Sequence, residues 1–342
     1  MIQRTTCPIT GQPASIIFSR PYSRAEFQPL IARGKLAELV ADKHYEIRHC
    51  AASGLHFQTW VMEDGELAGW YSPPTGDEFF QSEIAKQRLH WFAHMTEEIL
   101  VFRQLCPEKW PAVLDFGCNW GKWGSVALAH GCDVFAVEVN RSAAEYCARR
   151  GIKIIAFDQL DELRFDFINV DQVMEHLSEP LSVAQKLAAC LKPGGFLKMS
   201  TPDNPRLPRI LAAAQRTGDN GVLNAKTLDS LAPLEHVNLF TRAALESLGQ
   251  KAGLRVYRLP LIKWLGAGQL WNVPRQLNRN LVTPFKRWLG RGTYVWFQKP
   301  PQGKSTPKRL GLLSIAAVGL GTFASFLPQL ALWAIYLTPL CG

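Results

Sequence analysis

The chain has no cysteine pair at C-x-x-C spacing. Its eight cysteines stand singly, at Cys7, Cys50, Cys106, Cys118, Cys132, Cys147, Cys190 and Cys341. That excludes an intact four-thiolate zinc finger and a dithiol redox motif. The opening MIQRTTCPIT lacks an apolar run, so no secretory leader is expected and the thiols are expected to be reduced. Acidic residues stop at Glu246. Beyond it lie thirteen Lys and Arg, leaving 25 of the 38 basic residues against all 29 acidic ones upstream. The net charge of +9 is therefore local to the C-terminal end. A surface that is basic throughout is excluded, and no nucleic-acid partner is expected.

From Gly311 to Gly342 there is no charged side chain at all. A helix needs roughly 20 apolar residues to cross a bilayer core, so this run allows one span with slack but not two. Pro328 lies mid-run and keeps a shallow hairpin in one leaflet open as a rival geometry; a buried helix pair is the third. Lys299, Lys304, Lys308 and Arg309 precede the run, and basic residues beside a span favour the cytoplasmic face. A Pro-rich basic linker over 301–310 and a membrane anchor over 311–342 are expected, with the remainder cytoplasmic.

The chain as a whole is 47% apolar and 20% charged, which suits a globular fold with a real core. Residues 1–75 hold short mixed segments such as YEIRHC and LHFQTWVM and form a small module. Residues 82–105 have helical apolar spacing and predict one long amphipathic helix. Strand and helix patterns then alternate: strands at 112–116, 133–139, 153–157, 165–173, 196–201 and 255–262, and a last one at 293–300. The stretch PLSVAQKLAACLKPGG predicts a helix closed by a Pro-Gly-Gly turn. Such alternation implies right-handed crossovers and a mainly parallel sheet. The expected fold is α/β, a doubly wound, mainly parallel, seven-stranded Rossmann-like sheet over 76–300. A basic, Trp-rich insertion at 263–292 interrupts it.

The sharpest local signal is VLDFGCNWGKWG, residues 113–124. A buried strand runs into a glycine-bearing turn that opens a helix. Gly117 allows a tight turn with positive φ, and Gly121 allows close approach of the helix start to a ligand and the sheet. Ligands in such sheets bind at the carboxyl ends of strands, at the switch point. Glu138 ends the second strand 21 positions after Gly117, where a carboxylate can accept both hydroxyls of a ribose. A dinucleotide site wants G-x-G-x-x-G so that pyrophosphate can sit on helix N–H groups. Here Asn119 and Lys122 occupy the second and third glycine positions, and Asp115 puts a carboxylate at the strand end. A cationic amino-acid moiety fits better, which speaks against a nucleotide-dependent oxidoreductase.

Residues 112–203 resemble the class I S-adenosylmethionine (SAM)-dependent methyltransferases, in particular the branch similar to the ubiquinone-biosynthesis O-methyltransferases. DFGCNWG resembles the first motif, with Asn119 replacing a glycine. AVEVN resembles the acidic ribose-binding motif, FDFINVDQVMEHLSEP the fourth-strand motif and LKPGGFLKMSTPD the fifth; LEHVNLFTRAALESLGQKAGL resembles the segment before the sixth strand. The resemblance implies SAM as cofactor. Asp115, Gly117, Cys118, Asn119 and Gly121 would surround its methionine half, Glu138 would hold the ribose, Asp158 would sit near the adenine, and Asp171 and Gln172 would line the methionine side.

Methyl transfer needs orientation and desolvation, and a hydroxyl or amine acceptor needs a base. His176 in MEHLSEP and His236 in LEHVNLF are the candidate general bases. At the N-terminus, Cys7-Pro-Ile-Thr-Gly11 and Cys50-Ala-Ala-Ser-Gly54 resemble the two knuckles of a zinc ribbon in which Thr10 and Ser53 replace two cysteines. His44 and His49 are the nearby substitutes, but a degenerate ribbon without metal is expected. The partner expected is a small-molecule or lipid-linked acceptor, reached at the membrane through the C-terminal tail. A non-catalytic, membrane-tethered binding or scaffold protein is the alternative. The acceptor atom (O, N or C) and the oligomeric state stay open.

Overall fold

The computed structural model describes residues 1–29, 31, 37–63, 66, 76–86, 89–203, 207–217, 231–260, 289 and 292–301. Met1–Pro300 is one compact unit; the second, Pro301–Gly342, lies outside the described residues except for Pro301. The expected anchor, the basic linker beyond Pro301 and nearly all of the 263–292 insertion likewise lie outside them. Among the described residues no helix is long and apolar enough to cross a membrane.

In chain order the elements used below are β1 (Ser15–Pro21), β2 (His44–His49), β3 (His56–Gln58), α1 (Asp77–Ala85), α2 (Leu89–Leu105), β4 (Ala112–Phe116), α3 (Lys122–Ala129), β5 (Asp133–Val137), α4 (Arg141–Arg149), β6 (Lys153–Ile154), β7 (Phe165–Asp171), α5 (Pro180–Cys190), β8 (Leu191–Ser200), α6 (Leu207–Thr217), β9 (Asn238–Leu239), α7 (Arg242–Lys251), β10 (Arg255–Tyr257) and β11 (Tyr294–Gln298). The main sheet runs β10-β11-β8-β7-β4-β5-β6. Its strands pair in parallel except at β11, which is antiparallel to both neighbours. The chain builds β4, β5 and β6 to one side, then returns to lay β7 and β8 on the other. The switch point thus falls between β4 and β7.

Strands buried on both faces read as continuous apolar runs, and β7 is buried along its whole length except at Asp171. One core packs Leu114, Ile168 and Leu197 under α5 and α7 through Leu187 and Leu248. The other packs Val113, Phe167 and Phe196 under α2 and α3 through Ile99, Phe102 and Trp123. Residues of the N-terminal module, Cys7, Cys50 and Phe57, join the first of these cores.

Three sequence expectations are corrected. The single helix over 82–105 is two helices, α1 and α2; the last turn of the first ends with the Lys86 amide donating to the Ser82 carbonyl at 3.1 Å. The strand expected over 153–157 pairs only at Lys153–Ile154. Beyond it the Gln159 side chain captures the Ala156 amide at 2.8 Å and the chain turns into a 3-10 helix, Asp158–Glu162. The Pro-Gly-Gly turn is part of β8, whose register against β7 shifts between Leu191 and Phe196. Gly194 there takes φ +81°, and its amide donates to the Lys299 carbonyl at 3.0 Å.

The module's own sheet runs β9-β3-β2-β1. Its edge strand β9 comes from the far end of the chain, with Asn238 paired to Phe57 and Leu239 to His56. The knuckle turns are both present: Gly11 and Gly54 have φ +68° and +73°, and their amides return to the Cys7 and Cys50 carbonyls at 2.8 Å each. The ligand positions converge in pairs, Cys7 Sγ to Ser53 Oγ at 3.2 Å and Thr10 Oγ1 to Cys50 Sγ at 3.5 Å. His44 is bonded instead to Ser19 Oγ at 3.0 Å, and the His49 ring packs on His56 at 4.6 Å. Each thiol is partnered by a hydroxyl that stands where a zinc ribbon has a second thiol.

Candidate cofactor and acceptor site

At the switch point the strand ends open into a cavity of about 440 Å³, lined by Gly117, Asn119, Glu138, Gln172, Val173 and His176 among others. That is the size of a small-molecule site. Gly117 takes φ +73°, and a Cβ on it would lie 2.5 Å from Val173 Cγ2. Gly121 takes φ +76°, and a Cβ there would meet Cys147 Sγ at 2.8 Å and Ile152 Cδ1 at 2.9 Å. The bend therefore requires glycine at both positions on steric and conformational grounds. Asn119, where the resembled motif has glycine, takes φ +50°, a conformation that Asn tolerates better than most residues.

Glu138 faces this bend. Its Oε2 accepts from the Asn119 amide at 2.6 Å and its Oε1 from the Asn140 amide at 2.8 Å. A carboxylate has about four acceptor sites, so two remain for hydroxyls in the cavity. Phe79 and Phe80 of α1, with Val139, complete the apolar side, and Phe80 packs on Tyr146 at 4.9 Å. Sequence reasoning missed the two phenylalanines; their only signal is an aromatic pair at the start of a short helix.

Not every predicted residue reaches the cavity. Asp115 is 3% exposed. Its carboxylate accepts from Asn169 Nδ2 at 2.7 Å and from the Gly124 amide at 3.2 Å, so it fastens β7 and the start of α3 to β4. Burial pushes its pKa up to about 7, against the pull of Asn169 and Lys198. Cys118 is buried and packs on Cys147 Sγ at 3.9 Å. Asp158 accepts from the Gln159 amide at 2.9 Å and lies outside the cavity lining, as does Asp171. Gln172 lines the cavity with φ +57°, an unusual conformation of the kind that concentrates at functional sites.

The two histidines meet: the His176 and His236 rings lie 4.9 Å apart, edge to face. His176 Nδ1 is 3.0 Å from the Glu235 carbonyl, which fixes Nδ1 as the donor and leaves Nε2 as the lone-pair nitrogen. Burial lowers the pKa of His176, and burial together with His176 takes His236 down to about 4. Glu175, 1% exposed, lies under them with neither oxygen hydrogen-bonded among the described residues. Burial pushes its pKa up to about 8. At neutral pH the cluster is therefore uncharged. The sequence pointed to no metal, but ligand atoms of Glu175, His176 and His236 all lie within 4.8 Å of one another. A carboxylate with two imidazoles suits a first-row divalent ion, which would have to displace the Glu175 proton.

Comparison with known proteins places this geometry. A family profile described as "Methyltransferase domain" matches residues 87–259. The chain is 26% identical over 106 residues to the ubiquinone biosynthesis O-methyltransferase of Alkalilimnicola ehrlichii, covering 28% of this chain and 43% of that one. With the enzyme of the same name from Coxiella burnetii it is 31% identical over 99 residues, 26% and 42% of the two chains. It thus spans less than half the length of these relatives. With the Aeromonas salmonicida enzyme it is 20% identical over 190 residues, 51% and 76% of the two chains. Among solved structures, the plantazolicin methyltransferase BamL in complex with a triazolic analog and SAH superposes with a TM-score of 0.43 at 12% identity, over 68% of this chain and 94% of that one. An SAM-dependent methyltransferase from Mesorhizobium loti gives 0.38 at 17% identity, over 60% and 100%. With the family profile lying over half of its length and the seven-stranded sheet carrying a glycine bend and an acidic strand end, the chain belongs to the class I SAM-dependent methyltransferases.

Proposed function

We infer that the chain transfers the methyl group of SAM to a small-molecule acceptor, glycans and lipid-linked intermediates included, at the cytoplasmic face of a membrane. The observation that carries the cofactor site is Glu138, pinned by the Asn119 and Asn140 amides with acceptor sites left over in the cavity. Bound there, SAM supplies a methyl on a sulfonium. Glu138 would receive the ribose hydroxyls and Gly117 would let the backbone come close, while Gly121, outside the lining, lets the helix start pack on Cys147 and Ile152. Phe79, Phe80 and Leu177 give the cavity an apolar side.

His176 lines the cavity and offers its Nε2 lone pair to an acceptor O–H or N–H, while His236 packs on it from outside the lining. The Nδ1 of His236 is buried with no hydrogen-bond partner among the described residues. The names of the relatives in ubiquinone biosynthesis favour an oxygen acceptor. The uncharged run over 311–342 and the basic residues before it support the membrane location.

The test is calorimetric titration of the full chain with SAM, followed by transfer of labelled methyl to membrane and to soluble extracts. Saturable binding and label in a membrane-extracted product are expected. Absence of SAM binding overturns the reading; label confined to soluble products overturns its membrane part.

A further inference from the structure

The two knuckle turns of the N-terminal module bring four side chains together. Ligand atoms on a zinc tetrahedron stand about 3.8 Å apart, and the contacts across the knuckles, 3.2 Å from Cys7 Sγ to Ser53 Oγ and 3.5 Å from Thr10 Oγ1 to Cys50 Sγ, are of that size. Two thiols are too few for structural zinc, which takes four nitrogen or sulfur ligands. What remains is one thiol on each knuckle, facing the other without a metal between them.

The surroundings of Cys50 favour its thiolate. Burial pushes its pKa up. Hydrogen bonds from the Ser53 and Thr10 hydroxyls, the Ser53 amide and the Cys7 thiol outweigh that and bring it down to about 7. A thiol in that range is a nucleophile near neutral pH. The group is covered thinly, because Gly11, Gln12, Ala51 and Ala52 on the two turns are all exposed. Cys118 and Cys147 provide the contrast. Their sulfurs also lie close, at 3.9 Å, but the hydrogen bond to Cys147 and burial push Cys118 well above the ordinary thiol range. Closeness is common to both pairs, and a stabilised thiolate belongs to the knuckle pair.

We propose that Cys7 and Cys50 form a thiol–disulfide exchange site, in which Cys50 attacks a low-molecular-weight disulfide and Cys7 resolves the adduct into a clip between the two knuckles. Cys50 loses its proton to solvent, and its thiolate bonds to one sulfur of the small disulfide RSSR, releasing RS⁻. Cys7 then attacks the Cys50 sulfur of that adduct. The second RS⁻ leaves and takes up the Cys7 proton. The two cysteines are oxidised by two electrons, and RSSR is reduced to two RSH. The clip encloses β1 and β2 and fixes the second knuckle, whose Gly54 carbonyl accepts from Thr241 Oγ1 at 3.1 Å at the start of α7. The inference is independent of the methyl-transfer reading.

The test incubates the folded full chain with oxidised glutathione, then blocks free thiols and maps the peptides by mass spectrometry. A Cys7–Cys50 cross-link is expected, reversed by dithiothreitol, with Cys118 and Cys147 still free. The clip should raise Tm by about 5 °C. Cys7→Ser should stop at one glutathione on Cys50, and Cys50→Ser should leave Cys7 unmodified. Thr10→Ala should slow the reaction at pH 6 about threefold, as the thiolate fraction falls. Should Cys50→Ser fail to fold by circular dichroism, the position of the adduct in Cys7→Ser decides. Both thiols staying reduced, a cross-link through other cysteines, a cross-link that forms only in urea, or a zinc ion held by the two thiols overturns the inference.

Discussion

Gln58 holds both ends of the turn that carries His236. Its Oε1 accepts from the Leu234 amide at 3.0 Å and its Nε2 donates to the His236 carbonyl at 2.9 Å. The turn is strained, with Ala232 at φ +37° and Leu234 at φ +68°, and non-glycine residues keep such angles only where the surroundings impose them. Arg4 adds a second tie. Its guanidinium, 7% exposed, donates to the Gln58, Ser178 and Val237 carbonyls and to Asn238 Oδ1. The N-terminal module thus buttresses the turn that carries His236. Gln58→Leu leaves a buried amide and carbonyl unpaired and is expected to cost about 1–3 kcal/mol; Arg4→Met is expected to cost about 2–4 kcal/mol. Urea denaturation reads both. A midpoint unchanged in Gln58→Leu would show that the turn holds itself.

Glu138 sets the second expectation. Glu138→Gln places an amide N–H₂ against one of two backbone N–H donors, since Asn119 and Asn140 each bond a different oxygen. The variant loses one backbone bond and one ribose acceptor. Calorimetry should record a fall of about 10–100-fold in SAM affinity, while the urea midpoint moves by about 1 kcal/mol. Equal affinity in the variant would remove Glu138 from the cofactor site.

The bend, Glu138 and the alternating strands were legible because each is a local pattern: a strand, a turn needing positive φ at Gly117, a helix start, a carboxylate one βαβ unit on. What was not legible depends on partners far apart in the chain. Arg4 meets Asn238 across 234 positions and Gln58 meets His236 across 178. No periodicity reports such pairs. Asp115 was misread for a related reason. The motif gives a carboxylate at a strand end, but only the fold shows that it is buried and bonded to Asn169 and the Gly124 amide. Lys198 sits in FLKMS, where a single charge in an apolar strand reads as an edge or a solvent face until Glu98 is seen beside it.

The Glu175 cluster predicts opposite pH ramps. Glu175 is held at about 8 by burial against an ordinary 4.5, so the folded chain keeps a proton that the unfolded chain releases. Its contribution is complete below about pH 4.5 and is lost as pH rises through 8. His236, taken down to about 4 from 6.5 by burial and His176, contributes fully above about pH 6.5 and loses it as pH falls through 4. Relative to Glu175→Gln, wild type should therefore lose stability between pH 5 and 9. Relative to His236→Asn, it should lose stability between pH 7 and 4. Thermal unfolding across that range checks both signs, and a flat difference in either pair removes that group from the linkage.

Gly117 permits a test that separates backbone strain from crowding. An alanine there must hold φ +73° with its Cβ 2.5 Å from Val173 Cγ2. The left-handed angle costs roughly 1–2 kcal/mol for a residue with a Cβ, and the overpacked contact adds about 1–3 kcal/mol. Gly117→Ala should therefore destabilise by about 2–5 kcal/mol in urea and reduce SAM binding, because the displaced Val173 is a wall of the cavity. Val173→Ala relieves the contact and leaves the angle untouched. The double variant should thus be less stable than Val173→Ala alone by only the conformational part, about 1–2 kcal/mol, and the cycle should close with a coupling of opposite sign to the single costs. Strict additivity would mean that Val173 is not what an added methyl meets. A double variant as stable as Val173→Ala would mean that the bend can relax to negative φ, and with it the claim that this turn needs glycine.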